Sequence, residues 1–138
     1  MRYAISYVSS VNFDLTNDEI QEILDFSRIS NNANGITGIL LYSDGNFFQV
    51  LEGDKDQLKP LFSAINDDHR HYDLMVIFEK QVSQAAFENY ECDFISLDSR
   101  FNQESMDIYL SQIEKLNPKI QGSVRYVLNK FSEGIKSF

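Results

Sequence analysis

Residues 35–53, GITGILLYSDGNFFQVLEG, encode two adjacent strands and the turn between them, and the rest of the predicted fold is built around this pair. The pair Asn34-Gly35 supplies backbone that can adopt positive φ, which ends a preceding helix. Residues 36–43 form an apolar run typical of a buried strand, and the Ser-Asp-Gly sequence after Tyr42 indicates a tight turn. Residues 46–52 then alternate between two faces. We therefore predict a β-hairpin in this part of the chain.

The second strand of the hairpin contains an amide in apolar surroundings. Alternation places Phe47, Gln49 and Leu51 on one face and Phe48 and Val50 on the other. A buried amide costs about 1–3 kcal/mol if it lacks a hydrogen-bond partner. Gln49 therefore needs a polar side chain, a backbone group or a ligand beside it.

Two further strands and one helix are predicted before and after the hairpin in the chain. Residues 2–9 alternate as a strand that places Tyr7 and Ser9 on one face. Residues 56–68 carry an apolar helical stripe, although an internal proline obscures where that helix begins. Residues 74–78 form a continuous apolar run, which predicts a central strand.

A helix is predicted between the first strand and the hairpin. Thr16 followed by Glu19 is a capping box, in which each residue satisfies a free backbone amide of the other, so the helix should start there. Its core-facing stripe passes through Leu24 and Ser27 at helical spacing and continues to Asn31. We therefore expect Asn31 to face the core.

The order of these elements predicts an α+β fold, a ferredoxin-like sandwich of βαββαβ type with two helices on one face of the sheet. Residues 92–97 add a short edge strand. Residues 106–116 and 120–131 predict an amphipathic helical hairpin, which could cover the sheet or form an interface with another chain. We thus expect a sensor domain at residues 1–97 and a helical extension at residues 98–138.

The composition indicates one folded domain and argues against several partners. The chain has 138 residues, of which 43% are hydrophobic, as is typical of a single domain. Its formal charge of −9 offers no basic surface to a phosphate backbone or an anionic membrane. It contains neither an apolar run of roughly 18 residues nor the pattern of a signal peptide. We expect a cytoplasmic protein that binds neither nucleic acid nor membrane.

The sequence lacks the common catalytic and metal-binding motifs. It has no phosphate-binding glycine loop, no nucleophile elbow and no zinc-protease motif. A phosphatase of the same fold class would need an arginine in the loop at residues 9–15, which has none. The only histidines, His69 and His71, follow two aspartates at a predicted helix end, a pattern more typical of a solvated cap than of a metal site. We expect no metal.

The remaining candidates are neutral hydrogen-bonding residues that point inward: Tyr7, Ser9, Asn31 and Gln49. One interpretation is a polar network that satisfies itself within an ordinary core. The other is a site for a planar heterocycle with amide edges, because Asn and Gln each offer a donor and an acceptor. The residues alone leave both open.

Five segments in the same order resemble the BLUF family of blue-light sensors that use FAD. They are YVSS at 7–10, SRISN at 27–31, GITGILLY at 35–42, FFQVLEG at 47–53 and DHRH at 68–71. The resemblance covers about residues 2–97. It implies a non-covalently bound flavin, expected to be FAD with FMN or riboflavin as alternatives.

The resemblance also implies a mechanism. The family's strand-borne tyrosine and glutamine fall on Tyr7 and Gln49, and its flavin-binding asparagine falls on Asn31. Blue light would excite the flavin, Tyr7 would donate an electron and then a proton, and the Gln49 amide would change its orientation or tautomer. Further cofactor contacts are implied at Ser9, Ser27, Arg28, Asn32, Asp68, Arg70 and His71.

Three positions depart from the family pattern. Ser30 stands where the family often has Asn or His, Tyr90 where Trp is common, and Cys92 where Met is common. The last two positions lie near the switching glutamine in relatives. Tyr90 could therefore compete as an electron donor, and Cys92 offers Gln49 a shorter and weaker contact.

The predicted output is protein contact rather than catalysis. We expect no catalytic domain after the sensor, and therefore a non-enzymatic photoreceptor that forms a homo-oligomer and signals to an unknown downstream protein. Two alternatives stay open: a small flavin-dependent redox enzyme, for which no acid or base is evident beside Tyr7 and Gln49, and a ligand-binding regulatory module without flavin.

Overall fold

The computed structural model describes residues 2–43, 45–82 and 94–98, together with residues 111, 114, 121, 122 and 124–126. The strands and helices follow the predicted order. They are β1 (Arg2–Val11), α1 (Asn17–Ala33), β2 (Thr37–Ser43), β3 (Asn46–Asp54), α2 (Lys55–Asn66), β4 (His71–Gln81) and β5 (Phe94–Asp98).

The five strands form one sheet in the order β4-β1-β3-β2-β5. β1 pairs antiparallel with β3 and β4, β3 pairs antiparallel with β2, and β5 runs parallel to β2. Both helices pack on one face, where Ile20 and Leu24 of α1 and Leu58 of α2 join Ile5 and Leu51 of the sheet in one apolar cluster. The ferredoxin-like prediction is confirmed.

The capping box predicted at the start of α1 is present. The Thr16 hydroxyl accepts a hydrogen bond from the Glu19 amide at 3.2 Å, and the Glu19 carboxylate accepts one from the Thr16 amide at 3.2 Å. Two amides that the helix leaves without intrahelical acceptors are thereby satisfied. The local sequence alone determines this helix start.

The hairpin between β2 and β3 depends on two glycines. Gly45 in the turn has φ 80°, which favours a residue without a side chain. Gly38 in β2 has φ 140°, and a Cβ there would lie 1.9 Å from the carbonyl oxygen of Val50. Only glycine therefore allows β2 to approach β3 this closely.

The prediction of a central strand at residues 74–78 is wrong in its position. β4 lies at one edge of the sheet and pairs only with β1 among the described strands. Its register shifts twice, Asp73 has φ 53°, and the Met75 side chain is 66% exposed. An apolar run indicates a strand, but it does not reveal how many neighbours that strand has.

The predicted helical hairpin at residues 106–131 falls mostly outside the described residues. The seven described residues between 111 and 126 are all helical, and Val124 is fully buried. The division into a sensor domain and a helical extension stays a prediction. Within the described residues, no helix is long and apolar enough to cross a membrane.

Candidate functional site

A cavity of about 200 Å³ lies between the two helices and the sheet. The sheet contributes the side chains around its centre, α1 contributes its second half, and α2 with the following segment forms the opposite wall. The lining residues are Tyr7, Leu40, Phe47 and Gln49; Ile23, Phe26, Ser27, Ser30 and Asn31; and Leu61, Ala64, Ile65, Asp68, Arg70 and His71.

Tyr7 and Gln49 form a hydrogen-bonded pair on the wall that the sheet contributes. They lie directly opposite each other on β1 and β3, and each is only 3% exposed. The Tyr7 hydroxyl donates to Oε1 of Gln49. The partner that the sequence requires for this buried amide is therefore Tyr7.

The surroundings of Tyr7 keep its phenol neutral. Burial raises the pKa of Tyr7 far above its ordinary value of 10.0, and the negative charge of Asp68 raises it further. The ring of Phe62 packs against the Tyr7 ring at a centroid distance of 6.0 Å. Tyr7 is thus a protonated hydrogen-bond donor at any physiological pH.

Asn31 brings a second amide to the cavity, from the last turn of α1. Its backbone carbonyl accepts hydrogen bonds from the amides of Asn34 at 3.1 Å and Ile36 at 2.9 Å, which fixes the residue. Its side chain lines the cavity and is 5% exposed. Within the described part of the chain, no protein group hydrogen-bonds the side-chain amide of Asn31 or the side-chain nitrogen Nε2 of Gln49. Both are therefore available to a ligand.

Asp68 and Arg70 form an ion pair at the rim of the cavity. The Arg70 Nε lies 3.0 Å from both Asp68 carboxylate oxygens, and Nη2 lies 2.6 Å from one of them. The hydrogen bond from Arg70 lowers the pKa of Asp68, so this carboxylate is ionised at neutral pH. The Arg70 side chain is half exposed, so it can also reach an anionic group outside the cavity.

His71 is held by the protein at both ring nitrogens. Nδ1 lies 2.7 Å from the Ser9 hydroxyl, and Nε2 lies 2.6 Å from the carbonyl oxygen of Ile65. Ser9 itself is buried and does not line the cavity. The structure therefore joins Ser9 to His71 rather than to the cavity.

The structure brings most of the predicted site residues to the cavity wall, with three exceptions, of which Ser9 is the first. Ser27 lines the cavity, as does Ser30, the position that departs from the family pattern. Arg28 and Asn32 are exposed and lie outside the lining, and Arg28 faces Asp25 at 3.5 Å. The predictions for residues 90 and 92 fall outside the described residues.

The sequence analysis missed the wall formed by α2. Leu61, Ala64 and Ile65 line the cavity at helical spacing, but that spacing is also typical of an ordinary core stripe. Phe26 was missed as well, because it lies off the predicted stripe through Leu24, Ser27 and Asn31; in the structure it lines the cavity although it is 71% exposed. Within the described residues, no group of three or more His, Cys, Asp or Glu side chains could hold a metal ion.

The chain is similar in sequence to light-regulated proteins. The chain is 26% identical over 131 residues to the blue light- and temperature-regulated antirepressor BluF of Escherichia coli, which covers 95% of this chain and 29% of that protein. It is 29% identical over 83 residues to the photoactivated adenylate cyclase subunit alpha of Euglena gracilis, with coverages of 60% and 8%. The chain thus spans less than a third of these two relatives.

Solved structures share the fold along most of the chain. BlsA in its photo-activated state superposes with a TM-score of 0.65 at 26% identity and covers 94% of each chain. Klebsiella pneumoniae BlrP1, in a complex with calcium and cyclic diGMP, gives a TM-score of 0.67 at 29% identity over 81% of this chain and 28% of that one. The family model described as BLUF, sensors of blue-light using FAD, matches residues 3–93. This chain therefore belongs to the BLUF family of flavin-binding blue-light sensors.

Proposed function

We propose that Tyr7 and Gln49 are the photoswitch of this blue-light sensor and that the cavity between the helices holds the flavin ring. The observation that carries the proposal is the buried Tyr7–Gln49 hydrogen bond at the wall of a cavity. The Gln49 amide nitrogen and the Asn31 amide face that cavity without a protein partner among the described residues. A ligand with an imide edge would satisfy both amides.

The size and lining of the cavity fit a flavin ring with the rest of the cofactor outside it. Pockets that enclose a drug-sized ligand measure about 300–1,000 Å³. This cavity measures about 200 Å³, which favours enclosure of one part of the ligand. Leu40 and Ile65 supply apolar walls, and Arg70 at the rim would meet a phosphate group. FAD is the cofactor we propose, with FMN or riboflavin as alternatives.

The hydrogen bond between the two residues provides a route for the proton. A bound flavin supplies light absorption and a site of reduction. Tyr7 gives up an electron, and its proton moves along the existing bond to Oε1 of Gln49, since an oxidised phenol is a strong acid. When the electron and proton return, the Gln49 amide can have exchanged its oxygen and nitrogen positions, which inverts donor and acceptor at constant shape. The dark and lit states then differ in hydrogen bonding alone.

We propose that the chain signals through protein contacts, within a homo-oligomer or with a downstream partner, and that it is not itself an enzyme. A flavin enzyme would need a free acid or base beside Tyr7 and Gln49. The Asp68 carboxylate on the cavity wall is paired with Arg70, and the imidazole of His71 has both ring nitrogens bonded to protein groups. A cytoplasmic location stays a prediction.

The test is a visible spectrum of the purified protein, recorded in the dark and after blue light. We expect a yellow protein whose flavin band shifts reversibly to the red. Tyr7→Phe should keep the flavin and lose the shift, because the ring remains and the electron-donating phenol is gone. Tyr3→Phe is the matched control, since Tyr3 lies on the same strand outside the cavity lining, and its shift should be unchanged.

Two outcomes would contradict this proposal. A colourless protein that takes up no added flavin would exclude the cavity as a flavin site. A shift that survives in Tyr7→Phe would remove Tyr7 as the electron donor and transfer that role to another aromatic residue, with Tyr90 as the first candidate from the sequence.

A further inference from the structure

His71 is the cavity residue whose role the photoswitch leaves unexplained. Its Nε2 lies 2.6 Å from the Ile65 carbonyl oxygen, which can only accept, so Nε2 carries a hydrogen. In the neutral imidazole Nδ1 must then accept, and the Ser9 hydroxyl, 2.7 Å away, must donate to it. The geometry thus selects one tautomer of His71.

The two hydrogen bonds of His71 connect three elements around Tyr7. Ile65 lies in the last turn of α2, which forms one wall of the cavity. Ser9 lies on β1, two residues beyond Tyr7 and on the same face. The imidazole itself, at the start of β4, contacts the Tyr7 ring with a centroid distance of 6.2 Å. His71 therefore touches Tyr7 and also ties α2 to the strand that carries it.

No hydrogen-bonding capacity of this imidazole remains for a cofactor. A neutral imidazole has one donor and one acceptor, and protein groups occupy both. A flavin hydrogen bond to His71 would require one of these bonds to break. That would leave the buried Ser9 hydroxyl without its His71 partner, or would leave the Ile65 carbonyl with its bond from the Asp68 amide at 3.2 Å but without His71.

We propose that His71 is a positioning residue for Tyr7 and not a flavin ligand, and that it acts through its bonds to Ser9 and Ile65. The proposal rests on Tyr7 being the electron donor. The two bonds fix the separation between α2 and β1 and confine the Tyr7 ring between Phe62 and His71. The Tyr7 hydroxyl then keeps its alignment with Gln49, and proton transfer requires that alignment.

Three variants distinguish the contribution of the His71–Ser9 bond from that of the His71–Ile65 bond. His71→Gln keeps a donor near the position of Nε2 and loses the bond to Ser9, whereas His71→Asn keeps an acceptor near Nδ1 and loses the bond to Ile65. Ser9→Ala removes the hydroxyl alone. The measurements are the yield of the red-shifted state per absorbed photon and the flavin dissociation constant.

The expected result is a loss of yield without a loss of flavin. Ser9→Ala and His71→Gln should each lower the yield about three- to tenfold, the range expected for one lost hydrogen bond, with flavin affinity within about twofold of wild type. The double variant Ser9→Ala/His71→Gln should have a yield no lower than that of His71→Gln alone, because both changes remove the same bond. Nitrogen-15 NMR of the wild type should show hydrogen on Nε2 and none on Nδ1.

Several outcomes would overturn the proposal. A flavin affinity that falls tenfold in His71→Gln and His71→Asn, with the yield of the bound fraction unchanged, would make His71 a ligand. Additive effects in the double variant, or a hydrogen on Nδ1, would contradict the bond to Ser9. If the wild type shows no red shift, the photoswitch fails, while the tautomer still tests the His71 geometry separately. If His71→Gln does not fold, the yield of the red-shifted state in Ser9→Ala and the tautomer of His71 in the wild type test the proposal instead.

Discussion

The two faces of the central strand β3 are buried in different ways. On the helix face, Gln49 borders the cavity and keeps 3% exposure, as does Tyr7 opposite it on β1. On the other face, Phe48 and Val50 are completely buried. Adjacent residues of one strand thus serve opposite purposes. One face is closed and supplies stability, and the other is left incomplete and can receive a ligand.

Polar residues on the two faces are also treated differently. Glu52 is fully buried on the closed face, and its charge acts on Arg2 against the effect of burial, which lowers the pKa of Arg2. That face matches its buried charge with another protein charge. On the helix side, the side-chain amides of Gln49 on β3 and Asn31 on α1 face the cavity and have hydrogen-bonding groups without a protein partner among the described residues. The closed face also holds a buried hydroxyl, that of Ser6, without a hydrogen-bond partner among the described residues, but Ser6 does not line the cavity. The mark of the site is therefore unused hydrogen-bonding capacity that faces a cavity.

The neighbouring phenylalanines of β3 provide the largest test of this difference. Phe48→Ala should lower the free energy of unfolding by about 3–5 kcal/mol, because it opens a void on a fully packed face. Phe47→Ala should cost less, since Phe47 already borders a cavity, and should weaken flavin binding instead. Urea unfolding of the two apoproteins measures this. Equal losses of stability would show that the two faces are packed alike.

High pH should reveal the burial of Tyr7. Because its pKa is raised in the folded state, the stabilisation from its neutral phenol is complete below pH 10 and is lost as the pH rises above that value. Wild type should therefore lose about 1.4 kcal/mol more stability per pH unit above 10 than Tyr7→Phe does. Urea unfolding at pH 8 to 11 gives both curves, in about one-unit steps. Parallel curves would contradict the burial of an un-ionised Tyr7.

Asn31 and its neighbour Asn32 test whether unused capacity identifies the site. Asn31→Ala should weaken flavin binding about tenfold, since it removes a buried amide that faces the cavity, and should leave the apoprotein as stable as wild type. Asn32→Ala should change the affinity little, because Asn32 is exposed and lies outside the lining. Titration with flavin by fluorescence quenching compares the two. A larger effect from Asn32 would reverse the assignment.

The smallest effect is expected at the start of α1, away from both faces of β3. Thr16→Ala should lower the free energy of unfolding by about 1 kcal/mol, the usual contribution of a helix N-cap, and leave the light response intact. Thermal unfolding measures the loss of stability, and the visible spectrum before and after blue light measures the light response. A lost light response in this variant would mean that helix stability controls the switch, which the division between the two faces does not predict.

The sequence predicted the elements whose signals are local. Three features each involve residues that are close together in the chain: the Thr16 and Glu19 capping box, the alternation along β1 and the glycine-containing hairpin. Their backbone preferences and side-chain periodicity can therefore be recognised from the sequence. The direction of Asn31 also followed from helical spacing and is confirmed by its burial. Alternation further placed Tyr7 and Gln49 on inward faces, and the sheet pairs them.

Contacts between residues that are distant in the chain became apparent only in the folded structure. The apolar run in β4 did not reveal an edge position, because the sequence of a strand does not show how many other strands pair with it. The helical stripe of α2 did not distinguish a core contact from the wall of a cavity, because both require the same apolar spacing. The bonds of His71 to Ser9 and Ile65 join residues that are 62 and 6 positions away from it. Residue type and period set which side chains turn inward, whereas the position of each element in the sheet sets which of them meet.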